Sequence, residues 1–166
     1  MKSNEMLKLE KELEILKKED SRVGKIWREN NYSNDYYLQV KEVTDKIEAK
    51  KKEIISQKHR EVKVGDGITL RVYTDCHAFT VISRTEKTLT IQQDTATLKN
   101  DWKPEIIPGG FAGYCVNQEE QEYDYTPNPN GQIITLRWSN KYNRWNAPKG
   151  YGSAYLGRHE YYDYNF

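Results

Sequence analysis

Asp75, Cys76 and His77 stand together between two stretches of alternating apolar residues, and their types are those of an acid, a nucleophile and a base. Covalent catalysis needs such groups to converge on one point. Neighbouring side chains on a strand or tight loop point apart, so adjacency in sequence builds no triad. We therefore read Asp75 as the acceptor of a local backbone hydrogen bond in a polar loop from Thr74 to Ala78. His77 and Phe79, at the edge of that loop, stay open to a binding role. The three histidines, His59, His77 and His159, carry no HxH, HExxH or paired-acid spacing, and the two cysteines, Cys76 and Cys115, lie far apart with no CxxC. Metal chemistry is thus not expected, no cofactor is implied, and the thiols read as buried or free. No phosphate-cradling glycine loop and no nucleophile elbow occurs, and the run Gly109-Gly110-Phe111-Ala112-Gly113 reads as a bend.

The chain holds 13 Tyr and 4 Trp, most of them after residue 60, including Tyr73, Trp102, Tyr123, Tyr125, Trp138, Trp145, Tyr155 and the series Tyr161, Tyr162, Tyr164. A β fold poor in Leu uses aromatics as core and as cross-strand pairs, and this must account for most of them. A few, beside the isolated arginines Arg71, Arg84, Arg137 and Arg158, could stack a base while a guanidinium takes a phosphate. Residues 1–60 carry 15 Lys and Arg against 12 Asp and Glu, whereas residues 61–166 carry 11 against 13. Long nucleic acid is bound by neutralising many phosphates, so a near-neutral domain with discrete arginines suits a compact nucleotide better than a polymer.

The elements that must position these residues follow from hydrophobic period. Met6, Leu9, Leu13 and Leu16 fall three and four apart, which predicts an amphipathic helix from about residue 4 to about residue 22, ended by Gly24 and the polar stretch Glu29 to Asn34. Ser33 or Asn34 is placed to cap a second helix carrying Tyr36, Val40, Val43, Ile47 and Ile54 on one stripe. Two narrow stripes, the second interrupted at Lys50 to Lys52, bury too little to be stable alone. The hairpin either packs on the rest of the chain or serves as a coiled-coil-type arm for homo-oligomerisation or partner binding, and the sequence leaves both open.

After Arg60 the period becomes alternating. Ile68 to Val72, Phe79 to Ile82 and Leu89 to Ile91 predict a three-stranded antiparallel meander. Thr95 to Gly110, with Trp102 and two prolines, reads as a long ordered loop, and Phe111 to Val116 as a strand. Asn128-Pro129-Asn130-Gly131 predicts a hairpin turn between Glu122 to Tyr125 and Gln132 to Trp138. Lys141 to Arg144 predicts a further turn, and Gly157 to Phe166 a closing strand. The fold class is α+β: an N-terminal antiparallel helical hairpin over residues 1–60, followed by a mostly antiparallel, aromatic-rich β domain over 61–166. No apolar run is long enough to cross a bilayer, and the opening MKSNEMLKLEKELE lacks the apolar region of a secretory signal, so a cytoplasmic protein is expected.

Three stretches carry a family resemblance: Val64-Gly65-Asp66-Gly67, Tyr73-Thr74-Asp75-Cys76-His77-Ala78-Phe79-Thr80-Val81, and Tyr161 to Phe166, with the Asn-Pro-Asn-Gly turn between the last two. With a helical hairpin ahead of them, the β half resembles the phage Thoeris anti-defence sponge family. The resemblance implies an oligomeric binder that sequesters a cyclic ADP-ribose signal in the host cytoplasm without hydrolysing it, and so blinds an immune effector. On that implication Phe79 stacks the adenine and Arg137 and Arg158 meet the pyrophosphate, with Arg71, Asp75, His77 and Trp102 completing the ligand-binding set. The rival reading is a protein-binding inhibitor of a host defence complex, such as an anti-CRISPR protein, acting through the helical arm or the aromatic surface. An enzyme using Asp75 and His77 ranks last.

Overall fold

The computed structural model describes residues 2–109 and 112–165. Gly110 and Phe111, parts of the glycine bend and of the strand expected from Phe111, and Phe166, the last residue of the closing motif, lie outside the described residues. The chain divides into two compact units, Met1–Glu61 and Val62–Phe166.

The first unit is a helical hairpin of α1 (Asn4–Glu29) and α2 (Asn34–Arg60). The Ser3 hydroxyl accepts the Met6 amide at 3.1 Å and caps α1. The same hydroxyl donates to the carboxylate of Glu61, at the far end of α2, which also takes the Gln57 amide at 2.9 Å. α1 does not stop at Gly24. One interior glycine costs a helix only about 1 kcal/mol, while Val23 beside it is buried and the next turn packs Trp27 against Tyr32 and Tyr37, with centroids 5.1 and 6.0 Å apart. Met6 and Leu9 meet Ile54 at one end, Val23 meets Val43 and Ile47 near the turn, and Leu13 touches both clusters. The helices are therefore antiparallel. Lys50 does not break the stripe, because its ammonium crosses to Glu12 at 2.8 Å and also reaches Glu53 at 2.6 Å. Among the described residues no helix is long and apolar enough to cross a membrane.

The second unit is built from β1 (Gly67–Val72), β2 (Asp75–Arg84), β3 (Thr88–Gln93), β4 (Thr95–Leu98), β5 (Ile106–Gly109), β6 (Ala112–Cys115), a 3-10 turn (Gln118–Glu120), β7 (Tyr123–Thr126), β8 (Ile133–Ser139), β9 (Arg144–Asn146) and β10 (Ala154–Leu156). Six strands make one antiparallel sheet in the order β10-β1-β2-β3-β8-β9. Asn146 of β9 bridges Ser153, and the Ser153 carbonyl accepts the Arg71 amide of β1 at 3.3 Å. The segment entering β10 is thus bonded on both sides, and the sheet closes into a small barrel. Alternation places Ile68, Leu70, Phe79, Val81, Leu89, Ile91, Ile134, Leu136 and Trp145 inside. Each such side chain contributes roughly 1.5–3 kcal/mol by leaving water.

Three expectations change. The segment Thr95 to Gly110 is not one loop, since β4 pairs with β7 and β5 with β6 as two-stranded ribbons. The Asn128-Pro129-Asn130-Gly131 turn exists, with the Gly131 amide donating to the Asn128 carbonyl at 2.9 Å, but it joins no hairpin. β7 and β8 both run antiparallel to one continuous arm, β4 and β3 respectively, so the turn is an excursion from the middle of a long ribbon. The Gln92 side-chain amide holds it by donating to the Pro129 carbonyl at 2.9 Å. Lastly, the closing strand is β10, ahead of the residues expected to form it. Gly157, at φ 98, turns the chain off the sheet, and residues 158–165 then lie as a strap whose partners are largely side chains.

An ideal Cβ on Gly131 would sit 2.1 Å from the Gln93 carbonyl oxygen, closer than any side chain tolerates. Gly131→Ala is expected to lower stability by about 1–3 kcal/mol, read as a shift in the urea midpoint. Gly150→Ala, where a Cβ meets nothing within 4 Å, serves as the comparison for backbone strain alone.

Candidate functional site

Strand pairing sorts β1 and β2 into two faces. Ile68, Leu70 and Val72 lie opposite Phe79, His77 and Asp75 on the inward side, while Thr69 and Arg71 lie opposite Ala78 and Cys76 on the outward side. Thr69 is also paired with Tyr155 of β10. The outward face of β10, β1 and β2 therefore gathers Thr69, Arg71, Cys76 and Tyr155. The strap adds Arg158 and His159 along its edge, leaving an open groove of about 260 Å³.

The two arginines of this groove are held differently. Arg158 Nε donates to Asp94 Oδ2 at 2.9 Å, and Nη2 donates to Thr80 Oγ1 at 2.8 Å and to the Gly65 carbonyl at 3.1 Å. Thr80 in turn donates to Asp94 Oδ1 at 2.6 Å. The Asp94 side chain is 1% exposed, so this is a buried carboxylate whose charge Arg158 must balance. Among the described residues Nη1 of Arg158 has no partner. Arg71 is exposed, and among the described residues its side chain donates only through Nε, to the Tyr73 carbonyl at 2.9 Å. The His159 ring stacks on Tyr161 with an interplanar angle of 15°.

A second cluster closes the inward end of β2. His77 Nδ1 lies 2.9 Å from Glu160 Oε1, and Glu160 Oε2 accepts the buried Ala78 amide at 2.8 Å. The Glu160 amide donates to the Tyr125 hydroxyl at 3.1 Å, and Tyr162 meets the imidazole edge-on. Asp75 Oδ1 accepts the Asp163 amide at 2.9 Å, so its predicted role as a backbone acceptor is met by the strap instead of by the turn. Gln121 ties the strap down further, its side chain donating to the Tyr162 carbonyl at 2.7 Å and accepting the Tyr123 hydroxyl at 2.9 Å. Burial pushes the Tyr123 phenol up to about 12, so it remains a donor at neutral pH.

The expected site residues do not all converge. Arg71 and Arg158 share the groove. Phe79 is 2% exposed and forms part of the barrel core, so neither face of its ring is open to a base. His77 and Asp75 lie on the opposite face of β2 from the groove. Trp102 packs on Tyr164 in the insertion between β4 and β5, at 5.5 Å between centroids. Arg137 is exposed on β8, with β2 and β3 between it and β1. Tyr155 and His159, which sequence reading did not assign to a ligand, stand in the groove, and Glu160 supplies the partner of His77. The run Gly157-Arg158-His159-Glu160 in an otherwise aromatic tail was the available signal. Tyr155 had none, because the strand that orients it was expected elsewhere.

Cys76 and His77 point to opposite faces, and burial pushes the Cys76 thiol above its ordinary value, which leaves it a poor nucleophile. Among the described residues no three His, Cys, Asp or Glu side chains gather to hold a metal. The Glu160 hydrogen bond holds the His77 pKa above its ordinary value despite partial burial, and Asp75 adds to the effect. A histidine raised on folding contributes stability that is complete below its unfolded value of about 6.5 and is lost as pH rises through the folded one. Wild type should therefore exceed His77→Gln in stability by more at pH 5.5 than at pH 9, measured by urea denaturation; a gap independent of pH would contradict it. Comparison with family models, with curated proteins and with solved structures finds no match to this chain.

Proposed function

We propose that the chain is a non-catalytic binder that sequesters a small phosphate-bearing nucleotide, of the cyclic ADP-ribose class that its sequence resemblance implies, in the groove between the β10-β1-β2 face and the strap. The observation that carries this reading is the convergence of Arg71, Arg158 and His159 beside the Tyr155 ring, in a unit with no basic surplus. Guanidinium groups meet phosphate oxygens through charge-assisted hydrogen bonds, and a neighbouring ring takes the apolar face of a base or ribose. Retention without chemistry fits the same geometry, since burial keeps the Cys76 thiol above its ordinary pKa and the His77–Glu160 pair lies across the sheet.

At about 260 Å³ the groove is smaller than the roughly 300–1,000 Å³ that encloses a drug-sized ligand. A dinucleotide bound there keeps one end outside, where a second copy of the chain completes the enclosure. This is the sense in which we read the protein as a homo-oligomer, acting in the cytoplasm of a host cell. The rival reading, a protein-binding inhibitor of a host defence complex, draws on α1. Leu7 and Ile15 are exposed there, 45% and 64%, in a shallow groove of about 420 Å³ rimmed by Glu10, Lys11, Glu14 and Lys18.

The test is calorimetric titration with cyclic ADP-ribose isomers, followed by heat denaturation and identification of what is released. Intact ligand supports sequestration, altered ligand an enzyme, and no retention the protein-binding rival. Arg71→Ala is expected to weaken binding about tenfold or more, as loss of a hydrogen bond to a charged group at about 1.5–3 kcal/mol requires. Its stability should stay within roughly 0.5 kcal/mol of wild type, because the side chain is exposed.

A further inference from the structure

Tyr73 is in an unusual position for a tyrosine. Val72 pairs with Asp75, so Tyr73 and Thr74 are the whole loop between β1 and β2, and Tyr73 occupies its first position at φ 56. Two-residue hairpin loops favour Gly, Asn or Asp where φ is positive, because a Cβ crowds the backbone there. Of the other non-glycine residues at positive φ, Asn31, Asn100, Asp101 and Asn143 are of the types that tolerate it, and Tyr32 has its ring packed on Trp27. Tyr73 has neither excuse. Its side chain is 87% exposed and, among the described residues, has no ring contact or hydrogen bond. Folding thus gains nothing from this ring and is opposed by its backbone.

Its place gives the ring a use. The Tyr73 carbonyl accepts from Arg71 Nε at 2.9 Å, which fixes the loop to a groove arginine, and Cys76, another groove residue, begins three residues on. We propose that Tyr73 is a ligand-stacking residue, whose ring closes over a planar ring of the nucleotide whose phosphates lie between Arg71 and Arg158. This rests on the groove being the nucleotide site, and it goes beyond that reading by assigning the base-recognising surface to a side chain outside the groove wall. The ligand class it requires carries both a phosphate and an exposed aromatic ring. Strain held at such a position is a known feature of ligand clamps.

The experiment uses the full chain and three ligand-side readings: cyclic ADP-ribose, ADP and ribose 5-phosphate, which lacks the base. Tyr73→Gly relieves the backbone and removes the ring, so the melting temperature should rise by roughly 4 °C while affinity for the two adenine ligands falls about tenfold, in line with a lost base–aromatic stack. Affinity for ribose 5-phosphate should be unchanged. Tyr73→Phe keeps the ring and should bind as wild type. A Tyr73→Gly chain that binds the adenine ligands as well as wild type overturns the proposal and leaves the groove reading standing. A fall in melting temperature overturns it too, by giving the ring a role in the fold. Failure of wild type itself to bind any of the three overturns the groove reading and the stacking role with it.

Discussion

Asp94 follows directly on β3, with its carboxylate almost fully out of water, and an unpaired anion in that position would cost several kcal/mol. Thr80 supplies one hydrogen bond, and Arg158 supplies the charge. Because Arg158 belongs to the strap, the demand of one buried carboxylate pins the chain that follows β10 against the outer face of the barrel. The β1–β10 ladder and the contacts around Gly157 hold the start of the strap on the same face. The Gly67 carbonyl accepts the Gly157 amide at 2.9 Å, Thr69 donates to the Gly157 carbonyl at 2.8 Å, and a Cβ on Gly67 would collide with Arg158 at 2.5 Å. The groove is the space left between a strand and a strap brought this close.

The strap is a run of chain held where a strand would otherwise lie, and the reason is visible in its bonds. A ladder needs alternate backbone groups to face a neighbour, yet among the described residues of the strap only Tyr161 makes such a bridge, to Cys76. Elsewhere side chains stand in for the neighbouring strand. The Asn165 amide both accepts from and donates to the Cys115 backbone, at 2.6 and 3.1 Å, much as a facing residue would. Glu160 receives the Ala78 amide, and Asp75 receives that of Asp163. Isolated two-stranded ribbons are marginal in water, so β5 and β6 depend on this attachment as much as the strap does.

Legibility in the sequence followed the range of the interactions involved. The helical hairpin and the β1-β2-β3 meander were readable, since period and turn residues are local signals. Gly24 was misread because its local penalty is outweighed by the burial of Val23 and the packing of Trp27. The Asn-Pro-Asn-Gly turn was readable as a turn and misread as a hairpin, because which strands pair depends on β3 and β4, some thirty residues away. The family resemblance implies Phe79 as the ring that stacks the adenine. Register against Ile68 and Leu70 decides that it faces inward, and register is a long-range fact. Arg71 and Arg158 were identified as candidates, but nothing local joins them: one is a residue of β1 and the other balances the carboxylate of Asp94, between β3 and β4.

The unequal restraint of these two arginines bears on how such a groove would work. Arg158 is held at its Nε and Nη2 edge by three acceptors, so its remaining edge is fixed in place before any ligand arrives, and binding there loses little side-chain entropy. Arg71 is anchored by Nε alone and must give up rotamer freedom when it engages. The first is suited to set orientation, the second to close down. Removing Arg158 would also orphan Asp94, so any loss of binding in that variant is confounded with loss of the strap, whereas Arg71 can be removed without disturbing a buried group. A nucleotide held by one fixed and one adjustable cation, with its ring left outside a shallow groove, still has an uncovered apolar face. The strained and solvent-exposed Tyr73, tied by its carbonyl to the adjustable arginine, is the ring that can move with Arg71 to cover it.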